Sequence, residues 1–594
     1  MEEFKNFLKK YKFQIMFGVI AYVLINYLCY YFRVTFAGNP IAGFNMLASN
    51  PIYLLYAFPL SFNSLDLVIP LLFVGFIFVF IDEKKSNKKN YKKGTEYGSA
   101  SWGDPKKELE GMDDTEDPFN NIISSQNTRI RLEDGKTSFD KRRNKNTLVV
   151  GGSGSGKTRF VVKPNLLQMN ADFVVTDPKG TIVNEIGMAL KNIGKYKIKI
   201  FNTVNFKKSM RYNPLRYVKD NTDILRLVET IIANTNGSSE AGGQQRRDFW
   251  VQAEVLLYQA YLSLIASKFP KEEQHLGTLV DLISYSTVKE DDESYKNAVD
   301  YLFEALEEEN PDHFAVKQYR GFKLAAGKTA KSILISCMAR LSPLNIEEFR
   351  ELISEDELDL ESFGDSIDGR KTALFVIIPD TDPTYNFIVS IMYTQMFNLL
   401  VTRADEKYRG SFPTHVRFIL DEFANIGLIP NFQKLIATIR SRNMSATIIL
   451  QAYSQLADLY KQTGSDIIVG NCDTSIFLGG KESKTIKSLN EELGRQTIND
   501  YNLSEQHSNT KSISRQHNKL ARDLMTKDEL LTMPRDTCIV QVIGKKPIKD
   551  KKYDLTKHPR YKFHYVAPET KNGKGKYWFD IEKYLDTLRK KKAG

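Results

Sequence analysis

The stretch at 146–159, NTLVVGGSGSGKTR, constrains the fold of this chain more than any other part of it. A short apolar run at 147–150 leads into a glycine-rich loop that ends in Gly156, Lys157 and Thr158. An amphipathic segment follows at 160–167. A strand, a GxxxxGK(S/T) loop and a helix in this order are typical of a nucleotide-binding phosphate loop, or P-loop. The sequence therefore predicts a P-loop nucleotide-binding domain.

Each part of this loop has a chemical reason. Glycines adopt backbone angles that other residues disfavour, so successive N–H groups can turn toward phosphate oxygens. Lys157 would bring its charge to the β and γ phosphates of ATP, Thr158 would offer its hydroxyl to Mg²⁺, and the positive end of the next helix would face the triphosphate. The predicted nucleotide-binding residues are Gly151, Gly152, Ser153, Gly154, Ser155, Gly156, Lys157 and Thr158.

A second apolar run, at 416–420, ends in Asp421 and Glu422. An aspartate at the carboxyl end of a buried strand can hold the Mg²⁺ shell, and an adjacent glutamate can orient and deprotonate an attacking water. Downstream of a P-loop the two motifs are expected at the same edge of one sheet, where such folds bind ligands. We therefore expect Asp421 as a metal ligand and Glu422 as the catalytic carboxylate.

Three polar residues surround the next predicted strand, SATIILQ. Gln451 closes it, and a neutral amide there could hydrogen-bond the γ-phosphate or the water. Arg440 and Arg442 precede it on a predicted helix at 432–440. An arginine supplied by a neighbouring subunit stabilises charge on a transferring phosphoryl group and is worth roughly 10³ to 10⁵ in rate. The alternative is a solvated helix end that favours cations.

The strand pattern predicts an α/β fold with a parallel sheet covered on both faces. Strands are expected at 147–150, 172–176, 196–201, 372–378, 416–420, 446–450, 474–478 and 537–543. Between them, apolar residues recur at helical spacing at 224–233, 249–264, 298–307 and 331–341. We therefore expect a nucleotide-binding domain in two parts, 95–219 and 364–544, with an inserted all-α domain at 220–363. A basic tail, 545–594, would follow as a docking segment or a solvated appendage.

The N-terminal region, 1–94, is predicted to be a membrane anchor with two transmembrane helices. Residues 13–32 are about 20 residues without charge, the length that spans a bilayer. A shorter apolar run at 67–81 ends at six lysines between Lys84 and Lys93. The loop at 34–63, which joins the two apolar spans, has no lysine or arginine. The positive-inside rule therefore predicts that this short loop lies outside and that both termini and the ATPase body lie in the cytoplasm. Two buried core helices are the alternative.

The net charge indicates which class of partner the chain binds, and the cysteine spacing indicates which covalent or metal sites to expect. A formal net charge of +11 favours an anionic partner, either nucleic acid or the inner leaflet of a membrane. Arg246 and Arg247 lie beside Phe249 and Trp250, and basic residues beside aromatics can clamp single-stranded nucleic acid, although a helix end with core aromatics gives the same pattern. Four widely spaced cysteines predict neither a disulfide framework nor a zinc site.

Six motifs together resemble the type IV coupling proteins of bacterial conjugation. They are GGSGSGKTR, VVTDPKG, FWVQAEVLL, FILDEFANIG, IRSRNMSATIILQAYSQL and LMTKDELLTMPRD, and the two apolar spans and the YGSASWG patch at 97–103 fit the same group. The lysine-, serine- and asparagine-rich style resembles versions from low-GC Gram-positive plasmids. Thr181 departs from the family pattern, because an acidic residue is expected after DPKG in many members.

The resemblance implies a RecA-like, homo-hexameric ATPase ring at the cytoplasmic membrane. Such proteins receive a relaxase bound to single-stranded DNA and deliver it to a type IV secretion channel. On matching positions, Lys157 and Thr158 would bind ATP and Mg²⁺, Asp421 and Glu422 would be the metal-side and catalytic carboxylates, and Gln451 would sense phosphate. Arg440 would be the arginine that acts on a neighbouring subunit.

Two other functions remain open from the sequence. One is a membrane-tethered double-stranded DNA translocase of the chromosome-segregation type, although the segment after Gly544 is short for the separate DNA-reading domain of such proteins. The other is a docking receptor that uses nucleotide only as an assembly switch. ATP turnover with and without single-stranded DNA would separate the switch from a motor.

Overall fold

The computed structural model describes residues 2–35, 45, 49, 60–86, 94–135, 137–235, 249–289, 292, 294–325, 327–366, 369–506, 512–565 and 577–593. The chain divides into two compact units, residues 1–96 and residues 97–594. Arg246 and Arg247 of the predicted nucleic-acid clamp lie outside the described residues, as does most of the predicted outer loop.

The described part of the first unit contains two long helices, α1 (Glu2–Thr35) and α2 (Ser64–Ser86). The side chain of Asn26 on α1 donates to the carbonyls of Ser61 and Asp66 and accepts from the Ser61 N–H at 3.0 Å. Arg33 lies 3.0 Å from the buried carboxylate of Asp66. These contacts fix α1 against the beginning of α2.

One helix among the described residues is long and apolar enough to cross a membrane. Its apolar window is Met16–Arg33, of 18 residues. The predicted second span falls on α2, where the apolar part found is the shorter stretch Ser64–Ile77. The two-helix anchor therefore stays a prediction.

In the second unit, nine of the described strands form one mixed sheet in the order β13-β12-β9-β3-β8-β7-β4-β6-β5. The strands from β9 to β5 are parallel, whereas β12 pairs antiparallel with both β9 and β13. The strands of the unit are β1 Asn121–Ile123, β2 Arg129–Arg131, β3 Thr147–Val150, β4 Asp172–Thr176, β5 Lys197–Asn202, β6 Thr372–Ile377, β7 Val416–Leu420, β8 Met444–Leu450, β9 Thr474–Phe477, β10 Arg495–Gln506, β11 Ser512–Asp523, β12 Thr537–Val542 and β13 Ile548–Lys551.

Helices cover both faces of this sheet, which is why its central strands are mostly apolar and are buried at every position. The described helices of this unit are α3 Pro105–Glu108, α4 Lys163–Gln168, α5 Thr181–Asn192, α6 Asn221–Thr235, α7 Phe249–Lys268, α8 Leu276–Tyr285, α9 Ala298–Glu309, α10 Phe314–Lys323, α11 Gly327–Arg340, α12 Glu347–Leu352, α13 Asn386–Lys407, α14 Phe432–Thr438, α15 Tyr453–Gly470, α16 Ser483–Leu493, α17 Lys527–Leu531 and α18 Ile581–Ala593.

The core divides by the alternation of side chains along the strands. Leu148 and Val150 of β3 join the cluster that contains α13 and the helices inserted between β5 and β6. Val149 points the other way and joins the cluster formed with α4, α5 and the C-terminal helix. The inserted helices α6 to α12 therefore share one continuous core with a face of the sheet.

The C-terminal region, from residue 545 on, packs on the nucleotide-binding body, which is the part of the second unit built around the nine-stranded sheet. The expected boundary between domain and tail was residue 544. Strand β13 pairs with β12 at the edge of the main sheet. Phe579 is 1% exposed, and its ring lies against Gly187 of α5. The Tyr584 hydroxyl donates to the Ile198 carbonyl at 2.9 Å. Residues 545–565 and 577–593 thus pack on the rest of the second unit and do not form a solvated appendage, one of the two expectations for this segment.

Candidate functional site

The P-loop follows β3 at the carboxyl edge of the parallel strands. Gly154 and Gly156 have φ of +73° and +85°, a region that favours glycine. A side chain at Gly156 would also lie 2.4 Å from the Phe160 ring. After the loop the chain makes a π-helical turn, Thr158–Val162, and continues as α4. The backbone of the loop therefore forms a cradle whose conformation favours glycine at positions 154 and 156.

Lys157 is buried at the centre of the site and joins the two predicted motifs. Its Nζ donates to the Gly151 carbonyl at 2.9 Å and lies 3.3 Å from Oε1 of Glu422. The other carboxylate oxygen of Glu422 accepts a hydrogen bond from Nε2 of Gln451 at 3.1 Å. The lysine, the glutamate and the glutamine thus form one hydrogen-bonded chain across the edge of the sheet.

Thr158 and Asp421 form the second link between the motifs. The threonine hydroxyl donates to Oδ2 of Asp421 at 2.7 Å. Burial, with a contribution from the neighbouring charge of Glu422, raises the pKa of Asp421 to about 6. Burial together with the charge of Asp421 raises the pKa of Asp177 to about 7. A cation near these carboxyls would offset the cost of keeping them charged.

The residues fit a nucleotide with Mg²⁺. Oδ1 of Asp421 is buried and accepts no hydrogen bond within the described part of the chain, so one oxygen is available to a ligand. Among the described residues, no group of three or more His, Cys, Asp or Glu side chains could hold a metal ion by itself. Mg²⁺ commonly combines one or two carboxylates with phosphate oxygens, and a hydroxyl beside a carboxylate suits that arrangement.

A cleft of about 480 Å³ opens over these residues. It is lined by Ser153, Gly154, Gly156, Lys157, Thr158, Arg159, Lys163, Asp177, Pro178, Lys179, Thr181, Ile182, Asp380, Asp421, Glu422, Asn425 and Gln451. The cleft therefore combines a phosphate cradle with carboxylates from neighbouring strands, an arrangement suited to binding and cleaving a phosphoanhydride.

Glu422 has an uncommon backbone conformation, with φ of +52° and ψ of +54°. Non-glycine residues adopt this left-handed region at an energetic cost of order 1–3 kcal/mol, and such strain clusters at functional sites. The conformation turns the chain sharply after β7, so that Asp421 is 2% exposed while Glu422 reaches the cleft.

Arg440 is the one predicted catalytic residue that does not line the cleft of its own chain. It lies in the turn Ile439–Arg442 before β8, whereas Gln451 follows the other end of that strand. Seven strand residues span roughly 23 Å, so the two lie at opposite edges of the sheet. Arg442 forms two hydrogen bonds with Asp405, at 2.9 and 2.6 Å, and is held in place.

Two residues of this region received no role from the sequence. Asp177 lines the cleft just after β4. The sequence pattern that could have identified it is an apolar run followed by an aspartate, the same pattern that identified Asp421. Lys552 donates to the carbonyls of Ser155 and Leu478, at 2.9 and 2.8 Å, and so supports the P-loop from behind. No local pattern marks Lys552, because its partners are distant in the sequence.

A model of the family described as type IV secretory system conjugative DNA transfer matches residues 93–575. Among curated proteins, the protein VirD4 of Rhizobium radiobacter is 22% identical over 414 residues, which cover 68% of this chain and 56% of that protein. The conjugal transfer protein TraG of Escherichia coli is 22% identical over 411 residues, which cover 64% and 60%. The chain thus aligns with little more than half the length of these relatives.

Two solved structures share the fold. The bacterial conjugative coupling protein TrwBdeltaN70, in a trigonal form with sulphate, superposes with a TM-score of 0.54 and 15% identity, covering 78% of this chain and 94% of that one. The plasmid coupling protein TrwB in complex with ADP and Mg²⁺ gives a TM-score of 0.53 with the same identity and coverage. At 15% identity this likeness shows the fold alone.

Proposed function

The chain belongs to the type IV secretory system conjugative DNA transfer family, and from that premise we propose that it is a membrane-anchored ATPase of conjugation. It would couple a relaxase bound to single-stranded DNA to a type IV secretion channel and drive transfer by ATP hydrolysis. The observation that carries this proposal is the convergence of Lys157, Thr158, Asp421 and Glu422 in one cleft.

Each residue of the cleft would have a distinct task. Lys157 would leave Glu422 and bind the β and γ phosphates, while Thr158 and Asp421 would hold Mg²⁺. The metal would neutralise charge on the phosphate oxygens. Glu422, released from Lys157, would accept a proton from the attacking water, and Gln451 would hold that water or the γ-phosphate in line.

Hydrolysis would be completed between subunits of a homo-hexameric ring. Arg440 is exposed and lies at the opposite edge of the sheet from the cleft, so it is positioned to act on a neighbour rather than on its own nucleotide. Its positive charge would stabilise the transferring phosphoryl group. The TrwB structure with ADP and Mg²⁺ supports the choice of ATP and Mg²⁺ as ligands.

The anchor would consist of both helices of the first unit, with both termini and the ATPase body in the cytoplasm. The obstacle to a second span is Asp66, since a carboxylate inside a bilayer is costly. Arg33 pairs with this carboxylate, and the Ser61 hydroxyl donates to it at 2.6 Å. Because these contacts offset the cost of burying the Asp66 charge in the bilayer, they support insertion of α1 and α2 into the membrane as a pair.

The first test is plasmid transfer with Lys157 changed. Lys157→Ala should abolish both transfer and ATP hydrolysis, because it removes the charge that binds the phosphates. Lys271→Ala is the matched control, since Lys271 is exposed and does not line the cleft. Normal transfer by the Lys157→Ala protein would contradict the proposal.

A second measurement separates a motor from a nucleotide-switched docking receptor. The purified protein should hydrolyse ATP faster with single-stranded DNA, and DNA binding should weaken steeply as salt rises. ATP binding without hydrolysis under any condition, alone or with channel proteins, would favour the receptor instead.

A further inference from the structure

Two buried aspartates lie side by side at the floor of the cleft. Strands β4 and β7 are parallel neighbours, and Thr176 of β4 pairs with Leu420 of β7. The next residue on each strand is an aspartate, Asp177 and Asp421, so the register brings both carboxyls to the same edge. They are 1% and 2% exposed, and both line the cleft.

Hydrogen bonding leaves one oxygen of each carboxylate without a partner. Asp177 Oδ2 accepts from the Val183 N–H at 2.9 Å, and Asp421 Oδ2 accepts from Thr158. Oδ1 of each residue is buried and accepts no hydrogen bond from any residue that the structure describes. A buried, unpaired carboxylate oxygen is costly, and a bound ion is one of the few arrangements that removes the cost.

The simpler role for Asp177 is structural, because its bond to Val183 fixes the first turn of α5. A comparison along the same strand argues that this is not its whole role. Asp172, at the other end of β4, uses both oxygens to accept backbone N–H groups, from Gly364 and Thr372 at 2.7 Å each. A purely structural aspartate on this strand is therefore fully hydrogen-bonded, and Asp177 is not.

We propose that Asp177 is a second carboxylate of the magnesium site and contributes its free Oδ1 to the binding of hydrated Mg²⁺ beside Asp421. The inference rests on the proposed function, since it concerns the metal that accompanies the nucleotide. Mg²⁺ keeps several waters and takes one or two carboxylates in nucleotide sites, so a second acidic oxygen across from Asp421 suits its shell. Asp177 would strengthen and orient metal binding, while Glu422 would remain the group that accepts the proton.

The test measures the gain in ADP affinity that Mg²⁺ provides, by calorimetric titration in EDTA and then in Mg²⁺. Asp177→Asn should leave the affinity in EDTA within about twofold and reduce the Mg²⁺-dependent gain by about tenfold or more, as losses of supporting groups at metal sites do. Asp177→Ser is the second variant, because a hydroxyl can still accept from the Val183 N–H. Asp421→Asn should lose the same gain.

Asp172→Asn is the matched control on the same strand. It should lower the melting temperature, since it disturbs two backbone hydrogen bonds, and keep the full Mg²⁺-dependent gain. A full gain in both Asp177 variants, with or without a lower melting temperature, would overturn the inference and leave a helix-capping role. If the wild-type protein binds no ADP at all, the proposed function itself fails; if wild-type binding gains nothing from Mg²⁺, both fail.

Discussion

Lys157 and Glu422 form an ion pair across the cleft, with Nζ 3.3 Å from Oε1. Lys157 is expected to bind phosphate, and Glu422 is expected to activate the attacking water. In the ion pair each side chain neutralises the charge that the other needs for its task. Phosphate oxygens and the Glu422 carboxylate would therefore compete for the same lysine. This competition would couple nucleotide binding to release of Glu422, the carboxylate that we expect to be catalytic.

Glu422→Gln should separate binding from hydrolysis. The amide removes the charge that competes for Lys157, so nucleotide affinity should rise a few-fold. Hydrolysis should fall by about 10² to 10⁴, the usual contribution of a positioned base. Titration with a fluorescent ADP analogue and a phosphate-release assay would measure the two effects. Glu229→Gln, an exposed carboxylate outside the cleft, serves as control; weaker binding with intact hydrolysis would contradict the prediction.

Arg440 and Arg442 should give opposite results although they are two residues apart. Arg440 is exposed, and its side chain makes no hydrogen bond or ion pair with the residues for which positions are given. Arg440→Ala should therefore keep the melting temperature and abolish hydrolysis. Arg442→Ala should lower the melting temperature, since it breaks the bonds to Asp405.

Mixing distinguishes action in trans from action within one chain. Lys157→Ala and Arg440→Ala subunits, each inactive alone, should regain part of the hydrolysis when combined, because some interfaces then contain both intact residues. Confirmed co-assembly without any recovery would rule out a role for Arg440 on the neighbouring subunit.

Phe579→Ala should destabilise the nucleotide-binding body. The ring is buried against Gly187, and the backbone N–H of Phe579 donates to the Asn184 carbonyl at 2.9 Å. Loss of a buried phenylalanine costs about 3–5 kcal/mol, which thermal unfolding would detect as a melting temperature several degrees lower. Phe139→Ala is the control, because that ring is 85% exposed. Equal melting temperatures for the two variants would mean that the C-terminal region does not support the body.

The central strands could be predicted from the sequence because each is a short apolar run. Strands β3, β4 and β7 have the predicted bounds. Helix α13 was not predicted, since twelve of its residues are buried and a helix covered on most sides has no single apolar stripe. The polar ribbon β10–β11 was also not predicted, because its strands pair with each other and lack clear alternation.

The meeting of the P-loop with Asp421 and Glu422 was predictable because both motifs directly follow apolar strands, whereas the roles of these residues stay predictions. The resemblance to coupling proteins is confirmed by the family match over residues 93–575. Parallel strands place their carboxyl ends together, which is how Lys157 and Glu422 meet from distant positions. Lys552 could not be predicted, since it reaches the P-loop from an antiparallel edge hairpin whose place depends on tertiary packing. Arg440 stays a prediction, because it would act between subunits.

Lys552→Met should weaken nucleotide binding without touching a phosphate-binding group. Lys552 is 7% exposed and donates to the carbonyls of Ser155 and Leu478. Methionine keeps the volume but leaves both carbonyls without their donor, a loss of roughly 1–3 kcal/mol. We expect ADP affinity to fall about 5- to 150-fold in a calorimetric titration. Lys549→Met changes an exposed lysine of β13, the strand that ends just before Lys552, and should bind normally; equal affinity in both variants would remove the supporting role.

His415 should make the second unit less stable in mild acid. It is 3% exposed, and its ring nitrogens lie 2.6 Å from Asn443 Oδ1 and 2.8 Å from Ser445 Oγ. Burial, aided by the charges of Arg417 and Lys145, lowers the pKa of His415 to about 3. Because the unfolded pKa is about 6.5, the unfolded chain takes up the proton first. The stability is complete above pH 6.5 and is lost as the pH falls toward 3.

The measurement is the fall in melting temperature between pH 7.5 and pH 5.5. His415→Gln should melt lower at pH 7.5, since the amide pairs less well with Asn443 and Ser445, but its melting temperature should fall less on acidification. Other buried groups, such as His558, whose pKa burial lowers to about 4, titrate equally in both proteins and cancel in the comparison. An identical fall in both proteins would show that His415 is not the group that limits stability in acid.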